Sequence, residues 1–219
     1  RRLRARGQAS PSSYRAPHRD TIARVLTQSE MRAMLDERGL APKKSLGQNF
    51  LVDHNLLRKL VDDAHICEGD AVLEIGPGAG VLTRELLERG ARVVAVELDA
   101  GLADLLRDTI DSSRFTLIEG DAYPGGALSE DALAALGDGD WKLVANLPYG
   151  VASPLMVDLL VRRPSCRSLH VTIQKEVAER LTAKPGTRDY GSLGVLAQSL
   201  AEVELITLAG PHCFWPPPK

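Results

Sequence analysis

Two short stretches of the sequence combine residue types that could bind a nucleotide and act on a base. The first is a glycine-rich run, residues 76–80 (GPGAG), that follows an apolar segment at residues 72–75. Glycine lets the backbone turn tightly and lets a ligand approach without a Cβ in the way. Glu97 ends the next apolar segment, about 20 residues on, where a carboxylate accepts hydrogen bonds from ribose hydroxyls. The pattern predicts a nucleotide or nucleoside site.

The spacing of the glycines distinguishes between nucleotides. The dinucleotide fingerprint GxGxxG/A requires Gly or Ala at the position that Val81 occupies here. A GxGxG run preceded by an acid, Glu74, better suits S-adenosylmethionine (SAM), which has no pyrophosphate for a helix dipole to hold. We therefore expect SAM as the cofactor. A nicotinamide-dependent oxidoreductase is the remote alternative, and a run of this kind can also be only a turn.

The second stretch is Asn146-Leu147-Pro148-Tyr149, which follows an apolar segment at residues 143–145. The carboxyl end of a strand is where open α/β sheets place their ligands. The chemistry that needs such residues is methyl transfer to an exocyclic aromatic amine. The amine of adenine is a poor nucleophile because its lone pair is delocalised into the ring. Two acceptors aimed at its hydrogens, the Asn146 side-chain oxygen and a backbone carbonyl near Pro148, would free that lone pair. Tyr149 offers a flat face on which an extruded base can stack.

Strand and helix patterns alternate along the chain, which predicts a doubly wound α/β fold with a mostly parallel sheet. The carboxyl ends of its strands would bring the two motifs together. Helices are predicted at residues 29–38, 55–66, 81–88, 100–110, 151–161, 175–183 and 193–200, with a short helical piece within the loop at 124–140. Strands are predicted at residues 71–75, 92–96, 115–118, 142–145, 169–173 and 204–208.

Composition limits the class of protein. The chain has 219 residues, 44% hydrophobic and 26% charged, which is the mix of a globular protein rather than a disordered or fibrous one. No apolar run approaches the ~20 residues that a membrane helix needs, so we expect no membrane contact. The three cysteines are far apart and form no CxxC pair, which is typical of reduced thiols. We expect a cytoplasmic protein that is a monomer.

Basic residues are concentrated at the N-terminal end. Residues 1–44 contain eleven Lys and Arg against four Asp and Glu, whereas the rest of the chain is acidic overall. We predict a partly disordered basic arm at residues 1–42 and a catalytic domain at residues 43–219. The arm indicates contact with a polyanion, although a solvated tail explains its charge equally well. Its arginine-rich start is also similar to a mitochondrial transit peptide.

Metal and thiol chemistry are not predicted. The five histidines show no spacing typical of metal ligands, so we expect no metal site. Cys213 has no base partner that the sequence identifies, and we interpret it as a packing residue. Lys43 and Lys44 precede the segment at residues 45–51, where they would either contact a phosphate or form a solvated charge pair.

Several further segments occur in a fixed order with these two motifs. They are residues 44–51 (KSLGQNFL), 74–78 (EIGPG), 96–99 (VELD), 120–122 (GDA), 146–149 (NLPY), 174–181 (QKEVAERL), 190–191 (YG) and 214–219 (FWPPPK). Together they resemble the ribosomal RNA adenine N6-dimethyltransferases of the KsgA type. The resemblance runs from about residue 43 to residue 219.

The resemblance implies a Rossmann-like SAM-dependent methyltransferase and a role for each matched residue. Glu97 would hold the ribose hydroxyls and Asp121 the adenine amino group of SAM. Tyr149 and Phe214 would enclose the target adenine. The implied cofactor contacts are Asn49, Leu51, Gly76, Gly78, Glu97, Asp121 and Asn146, and the implied catalytic residues are Asn146, Pro148, Tyr149 and Phe214.

The activity implied by the resemblance is dimethylation of two adjacent adenosines in a hairpin near the 3′ end of small-subunit rRNA. The small ribosomal subunit is then the expected partner. A relative that acts on large-subunit rRNA, a mitochondrial relative and a non-catalytic RNA-binding assembly factor are the alternatives.

Two departures from the family pattern modify these expectations. The sequence stops within the FxPxPK run, whereas the family continues into a last strand and a small helical domain. We therefore expect SAM binding by this chain, but weak, salt-dependent RNA binding, little methylation, and self-association through a poorly covered strand at residues 204–208.

The second departure is in the loop that follows Asp121. Residues 123–126 (YPGG) replace the family's apolar run, which puts the position of this loop in question.

Overall fold

A computed structural model describes residues 26–218 of the chain. The strands are β1 (Phe50–Leu51), β2 (Ala71–Ile75), β3 (Arg92–Glu97), β4 (Phe115–Glu119), β5 (Trp141–Asn146), β6 (Cys166–Thr172) and β7 (Phe214–Trp215). The helices are α1 (Gln28–Glu37), α2 (His54–Asp63), α3 (Val81–Glu88), α4 (Ala100–Thr109), α5 (Glu130–Leu136), α6 (Ala152–Arg162), α7 (Lys175–Thr182) and α8 (Ser192–Leu200). No helix in this part of the chain is long and apolar enough to cross a membrane.

The central sheet has five strands in the order β4-β3-β2-β5-β6, and every pairing in it is parallel. One helix of the set α3 to α6 connects each strand to the next along the chain. The strand order reverses between β2 and β5, and ligands of such sheets bind in the crevice at the carboxyl ends beside that reversal. The predicted doubly wound fold is confirmed, and the glycine-rich run and the NLPY motif follow the two strands that flank the reversal.

The helix α1 is packed into the protein rather than standing apart from it. Met31 and Leu35 are buried in the same core cluster as residues of α2, α3 and α4. Thr27 caps its N-terminus, where Thr27 and Glu30 form a reciprocal capping box. Gly39 lies just past its end at φ +65°, a conformation that glycine adopts easily. Residues 1–25 of the predicted basic arm at residues 1–42 lie outside the described residues.

The prediction of a strand at residues 204–208 is wrong. The segment has no regular secondary structure, and none of the described strands pairs with it. Residues 205–208 (LITL) are apolar or β-branched, which favours a strand locally, but a strand also needs a neighbour that accepts and donates its backbone hydrogen bonds. Leu205 and Leu208 are instead 49% and 64% exposed.

A small antiparallel sheet was not predicted from the sequence. β1 pairs with β7, with Phe50 opposite Trp215 and Leu51 opposite Phe214. The Phe50 and Trp215 rings stack at 6.1 Å, and the guanidinium of Arg32 in α1 lies 4.6 Å from the Trp215 ring. Two-residue strands are too short to show a period, and their partners lie 163 or more residues apart in sequence. This sheet connects the segment before α2 to the segment after α8.

Candidate cofactor and catalytic site

The glycine-rich run forms a loop whose backbone only glycine adopts easily. Gly76, Gly78 and Gly80 all have positive φ angles, between +60° and +78°. At Gly78 a Cβ would also lie 2.7 Å from the ring of Phe50, so the ring contacts the loop directly. The loop therefore exposes its backbone toward the cleft, and β1 closes over it.

Glu97 lies at the end of β3, where the sequence placed it. It is 4% exposed, and its two carboxylate oxygens accept hydrogen bonds from the Gly78 N–H at 3.0 Å and the Asp99 N–H at 2.9 Å. Burial raises the pKa of Glu97, while these two backbone hydrogen bonds oppose the rise. Each oxygen keeps a second lone pair, so the carboxylate can still accept from two hydroxyls.

Glu74 is the most deeply buried acid near the loop, at 1% exposure. The Thr83 hydroxyl donates to its Oε2 at 2.7 Å. Burial raises the pKa of Glu74 to about 8, and the nearby Glu97 carboxylate adds to the rise. At neutral pH Glu74 is therefore largely protonated in the absence of a cationic ligand.

Asn146 connects three segments of the site. Its amide nitrogen donates to the Asn49 carbonyl at 2.7 Å, and its Oδ1 accepts from the Thr172 hydroxyl. Thr172 lies opposite Asn146 in the register of β5 and β6. The second lone pair of Oδ1 is the one that could accept from a target amine. The Pro148 ring lies 3.6 Å from the position of a Cβ on Gly76, so the two motifs are in contact.

A cleft lies between the two motifs and β1. It is lined by Phe50, Leu51, Glu74, Gly76, Pro77, Ala79, Val81, Leu82 and Asn146. Leu51, Gly76 and Asn146 are among the residues that the sequence predicted for the site. Its apolar wall and few polar groups are typical of a small-molecule site.

The two aromatic residues predicted to enclose the target base differ in position. Tyr149 follows the strand end directly and is half-buried. Burial raises the pKa of Tyr149, and the nearby Glu176 carboxylate adds to that rise. Phe214 lies on β7 opposite Leu51, which lines the cleft. Cross-strand neighbours share a face, so Phe214 and Leu51 lie on the same face of the small sheet.

Asp121 follows β4 and is exposed. Its Oδ1 accepts a hydrogen bond from the Tyr123 N–H at 2.8 Å, which orients the carboxylate. The divergent loop behind it is ordered by a short 3-10 turn at Pro124–Gly126 and by a hydrogen bond from the Tyr123 hydroxyl to the Pro154 carbonyl at 3.3 Å. The departure from the family pattern therefore leaves Asp121 at its strand end.

Two groups at the site were missed by the sequence analysis, and a third has a partner that was not predicted. Thr172 contacts Asn146 and Phe50 contacts Gly78, and no local pattern could have identified these contacts between distant segments. Lys43 forms an ion pair that neither prediction included, and its phosphate contact stays a prediction. Its Nζ lies 2.9 Å from the buried Asp99 carboxylate. Burial alone would raise the pKa of Asp99, but hydrogen bonds from Lys43 and Gln48 bring it below its usual value.

Solved structures with the same architecture define the class of the protein. A dimethyladenosine transferase from Plasmodium falciparum is similar to this chain with a TM-score of 0.68 and 29% identity, over 78% of this chain and 59% of that chain. The 23S rRNA methyltransferase ErmE is similar with a TM-score of 0.60 and 27% identity, over 78% of this chain and 66% of that chain. The fold is that of the Rossmann-like methyltransferases.

The sequence comparison then defines the family. The pattern of the ribosomal RNA adenine dimethylases matches residues 39–219, and the chain belongs to this family. A ribosomal RNA small subunit methyltransferase A of Clostridium perfringens (strain SM101 / Type A) is 47% identical over 178 residues, 80% of this chain. That alignment covers 61% of the relative, so this chain spans about three fifths of the length of the curated relatives it matches.

Proposed function

We propose that this chain is the catalytic domain of a SAM-dependent rRNA adenine N6-dimethyltransferase that acts on two adjacent adenosines near the 3′ end of small-subunit rRNA. The observation that carries the proposal is the contact between two motifs, a glycine loop with Glu97 and the NLPY loop with Asn146. The first suits a nucleoside with free ribose hydroxyls, and the second suits an aromatic amine. Placed side by side, they would bring a methyl donor to an adenine.

The residues of the cleft fit SAM. Gly76 and its neighbours in the loop line the cleft, and Glu97 offers a lone pair to each ribose hydroxyl. Asp121 would accept from the adenine amino group, and Asn49 and Leu51 would cover the methionine and ribose side. When bound, SAM supplies a methyl group that its sulfonium already activates.

The chain's own residues would position and activate the target amine. Asn146 Oδ1 and a backbone carbonyl near Pro148 would accept hydrogen bonds from the two amine hydrogens, while Tyr149 and Phe214 hold the adenine ring. The nitrogen would form the new C–N bond as the bond between the methyl carbon and the sulfonium breaks and the sulfur leaves as a neutral thioether, and the nitrogen would afterwards lose a proton to solvent. No strong base is needed because orientation and electrostatics can supply most of the rate.

The proposed partner is small-subunit rRNA, and the charge distribution shapes how this chain would bind it. Residues 1–44 carry the excess of basic charge, while the folded body is acidic. Lys43 is already paired with Asp99 and contributes little free charge. Phosphate contacts by Lys and Arg dominate RNA affinity, so binding should be weak and should fall steeply with salt. A cytoplasmic location, with the mitochondrion as the alternative, and a monomeric state stay predictions.

Cofactor binding is tested by calorimetry with SAM and its demethylated product. Asp121→Ala removes an acceptor from the adenine amine and should cost about 1–3 kcal/mol of binding free energy. Asp138→Ala, an exposed loop acid, is the matched control and should bind normally. Equal affinity of both variants would remove Asp121 from the cofactor site.

The target is tested by mapping labelled methyl groups on unmethylated ribosomal subunits. Label in the 3′-terminal hairpin of small-subunit rRNA supports the proposal. Label in large-subunit rRNA favours instead an activity like that of ErmE, a 23S rRNA methyltransferase. SAM binding with no label in any RNA, by this chain or by one extended with the remaining sequence of a relative, favours a non-catalytic assembly factor.

A further inference from the structure

A second cluster of reactive side chains lies away from the lining of the cofactor cleft. One ligand-type atom each from Asp53, His212 and Cys213 lies within 4.8 Å of the other two. Asp53 precedes α2, and the other two residues share a single 3-10 turn, Pro211–Cys213, before β7. We propose that these three side chains bind one zinc ion, with water as the fourth ligand.

The three ligand types are those that zinc takes in proteins. A thiolate, an imidazole and a carboxylate bind Zn²⁺ at about 2.0–2.3 Å in a tetrahedron, which puts ligand atoms about 3.5 Å apart. Cys213 Sγ and Asp53 Oδ2 are already 3.8 Å apart. Closing the site therefore requires the longest of the three separations to shorten by up to about 1.3 Å, and His212 is the exposed member of the three.

Asp53 uses one carboxylate oxygen to cap a helix and turns the other toward Cys213. Its Oδ1 caps α2 by accepting from the Leu56 N–H at 2.8 Å, whereas its Oδ2 accepts from the Cys213 thiol, a hydrogen bond that the metal would replace. The backbone hydrogen bond from Leu56 is the main reason that the pKa of Asp53 lies below its usual value, so the carboxylate is ionised. The Val52 and Asp53 N–H groups donate to the Cys213 carbonyl, at 2.9 and 3.3 Å, and hold the two segments together.

Gly210 makes room for the imidazole. A Cβ at this position would lie 2.5 Å from Cε1 and 2.7 Å from Nδ1 of His212, so the ring lies directly against the glycine backbone. Any other residue would force the ring away from this position. The turn thus presents His212 and Cys213 together, beside the Asp53 carboxylate.

Binding would replace a proton with the metal. Burial raises the pKa of the Cys213 thiol, and the negative charge of Asp53 adds to the rise, so the metal-free thiol is protonated at neutral pH. Coordination breaks the S–H bond, forms the S–Zn bond and releases one proton to solvent. Because Phe214 follows Cys213 directly, the ion would fix β7 against the start of α2 at the border of the cleft.

The test uses the full 219-residue chain, reduced and freed of metal, titrated with Co²⁺ and then Zn²⁺. One equivalent of Co²⁺ should produce a strong thiolate-to-cobalt charge-transfer absorption that one equivalent of Zn²⁺ removes. Cys213→Ser should abolish the absorption, and Cys67→Ser, which removes an exposed thiol elsewhere, should keep it. His212→Ala should weaken Zn²⁺ binding at least about tenfold, because even the loss of an outer-shell partner costs that much.

Circular dichroism of each variant is the check that it folds. Asp53→Asn serves as a second ligand variant, because the asparagine side chain keeps an oxygen that can cap α2. Zn²⁺ should raise the thermal unfolding temperature of the parent chain and of Cys67→Ser only. The site is disproved if no charge-transfer absorption forms, or if it persists in folded Cys213→Ser. Unchanged Zn²⁺ affinity in both His212→Ala and Asp53→Asn would also disprove it. None of these readouts depends on methyl transfer.

Discussion

The centre and the edges of the sheet are built differently. β2 and β3, which position the glycine loop and Glu97, bury four of five and five of six residues, whereas the edge strands β4 and β6 have no fully buried residue. Among the described strands β6 pairs only with β5, and residues 201–210 beyond α8 have no regular secondary structure. The cofactor side, at β2 and β3, is therefore held by a closed core, while the edge at β6 is open. Cofactor binding should be a robust property of this chain, and target recognition a fragile one.

The largest expected effect concerns the buried acid on the cofactor side. The pKa of Glu74 is about 8 in the folded protein, against an ordinary value of 4.5. Between these values the folded state holds a proton that the unfolded state has lost. The contribution of Glu74 to stability is therefore highest below about pH 4.5 and falls as the pH rises to about 8. The loss should be roughly 4–5 kcal/mol, since one pKa unit corresponds to ~1.4 kcal/mol.

Urea unfolding of the parent chain and Glu74→Gln across this pH range measures the effect. The difference between the two proteins isolates Glu74 from other titrating groups. Glu37→Gln, an exposed acid on α1, should follow the parent chain. If Glu74→Gln loses stability with pH as steeply as the parent chain, then the pKa of Glu74 is not raised, and the core around Glu74 is not closed to water.

The next effect concerns Asn146, which lies on the border between the two sides. Asn146→Ala removes the acceptor for the target amine and should slow single-turnover methyl transfer about 100-fold or more. Filter binding should show a much smaller change in RNA affinity. Asn55→Ala, an exposed residue of α2, is the control. Near-normal turnover in a folded Asn146→Ala protein would refute the amine-activation argument.

A pair of glycine variants compares a tightly packed loop with a loop that has open space around it. Gly78 and Gly125 have similar positive φ angles, +60° and +63°, so Ala costs about 1 kcal/mol of backbone strain at each. Of these two, only Gly78 has a neighbour that the new Cβ would meet, the Phe50 ring. Urea unfolding should therefore show Gly78→Ala to be less stable than Gly125→Ala, by about 1–3 kcal/mol. Equal destabilisation of the two variants would show that Phe50 moves away freely.

The smallest expected effect is at Thr172, on the open side. Its hydroxyl donates to Asn146 Oδ1 and fixes which amide atom faces Asn49 and which can face the target. Thr172→Val keeps the shape but not the donor, so methyl transfer should slow about fivefold, as one hydrogen bond of ~1 kcal/mol implies. Thr172→Ser should restore the rate, and SAM affinity should be unchanged in both. No loss in Thr172→Val would mean that Asn49 alone orients the amide.

Much of the fold was predictable because its signals are local. Apolar runs ended by glycine or acid located β2 and β3, and their bounds differ from the prediction by at most one residue. The glycine run and the NLPY run were each predicted to follow the carboxyl end of a strand, and the structure has Gly76 and Asn146 at such ends, on the neighbouring strands β2 and β5. A central parallel strand is buried on both faces, so its sequence carries a strong apolar signal.

What was not predictable depends on contacts between distant segments. Residues 204–208 have the composition of a strand, but a strand forms only where a neighbouring strand pairs with it. Composition does not show whether such a neighbour exists. The Phe50–Trp215 stack joins opposite ends of the described chain, and Lys43 pairs with Asp99 from a separate segment. The Asp53, His212 and Cys213 cluster is of this type too, since no spacing of histidines could reveal it.

Nucleoside analysis after methyl transfer tests the central claim most directly. Unmethylated small ribosomal subunits are incubated with SAM carrying a tritiated methyl group and with this chain extended by the remaining sequence of a relative. The RNA is then digested to nucleosides. We predict label in N6,N6-dimethyladenosine, and its loss in the same protein with Asn146→Ala. Label in any other nucleoside, or no label from an extended protein that binds SAM, would contradict the assignment of this site to adenine dimethylation.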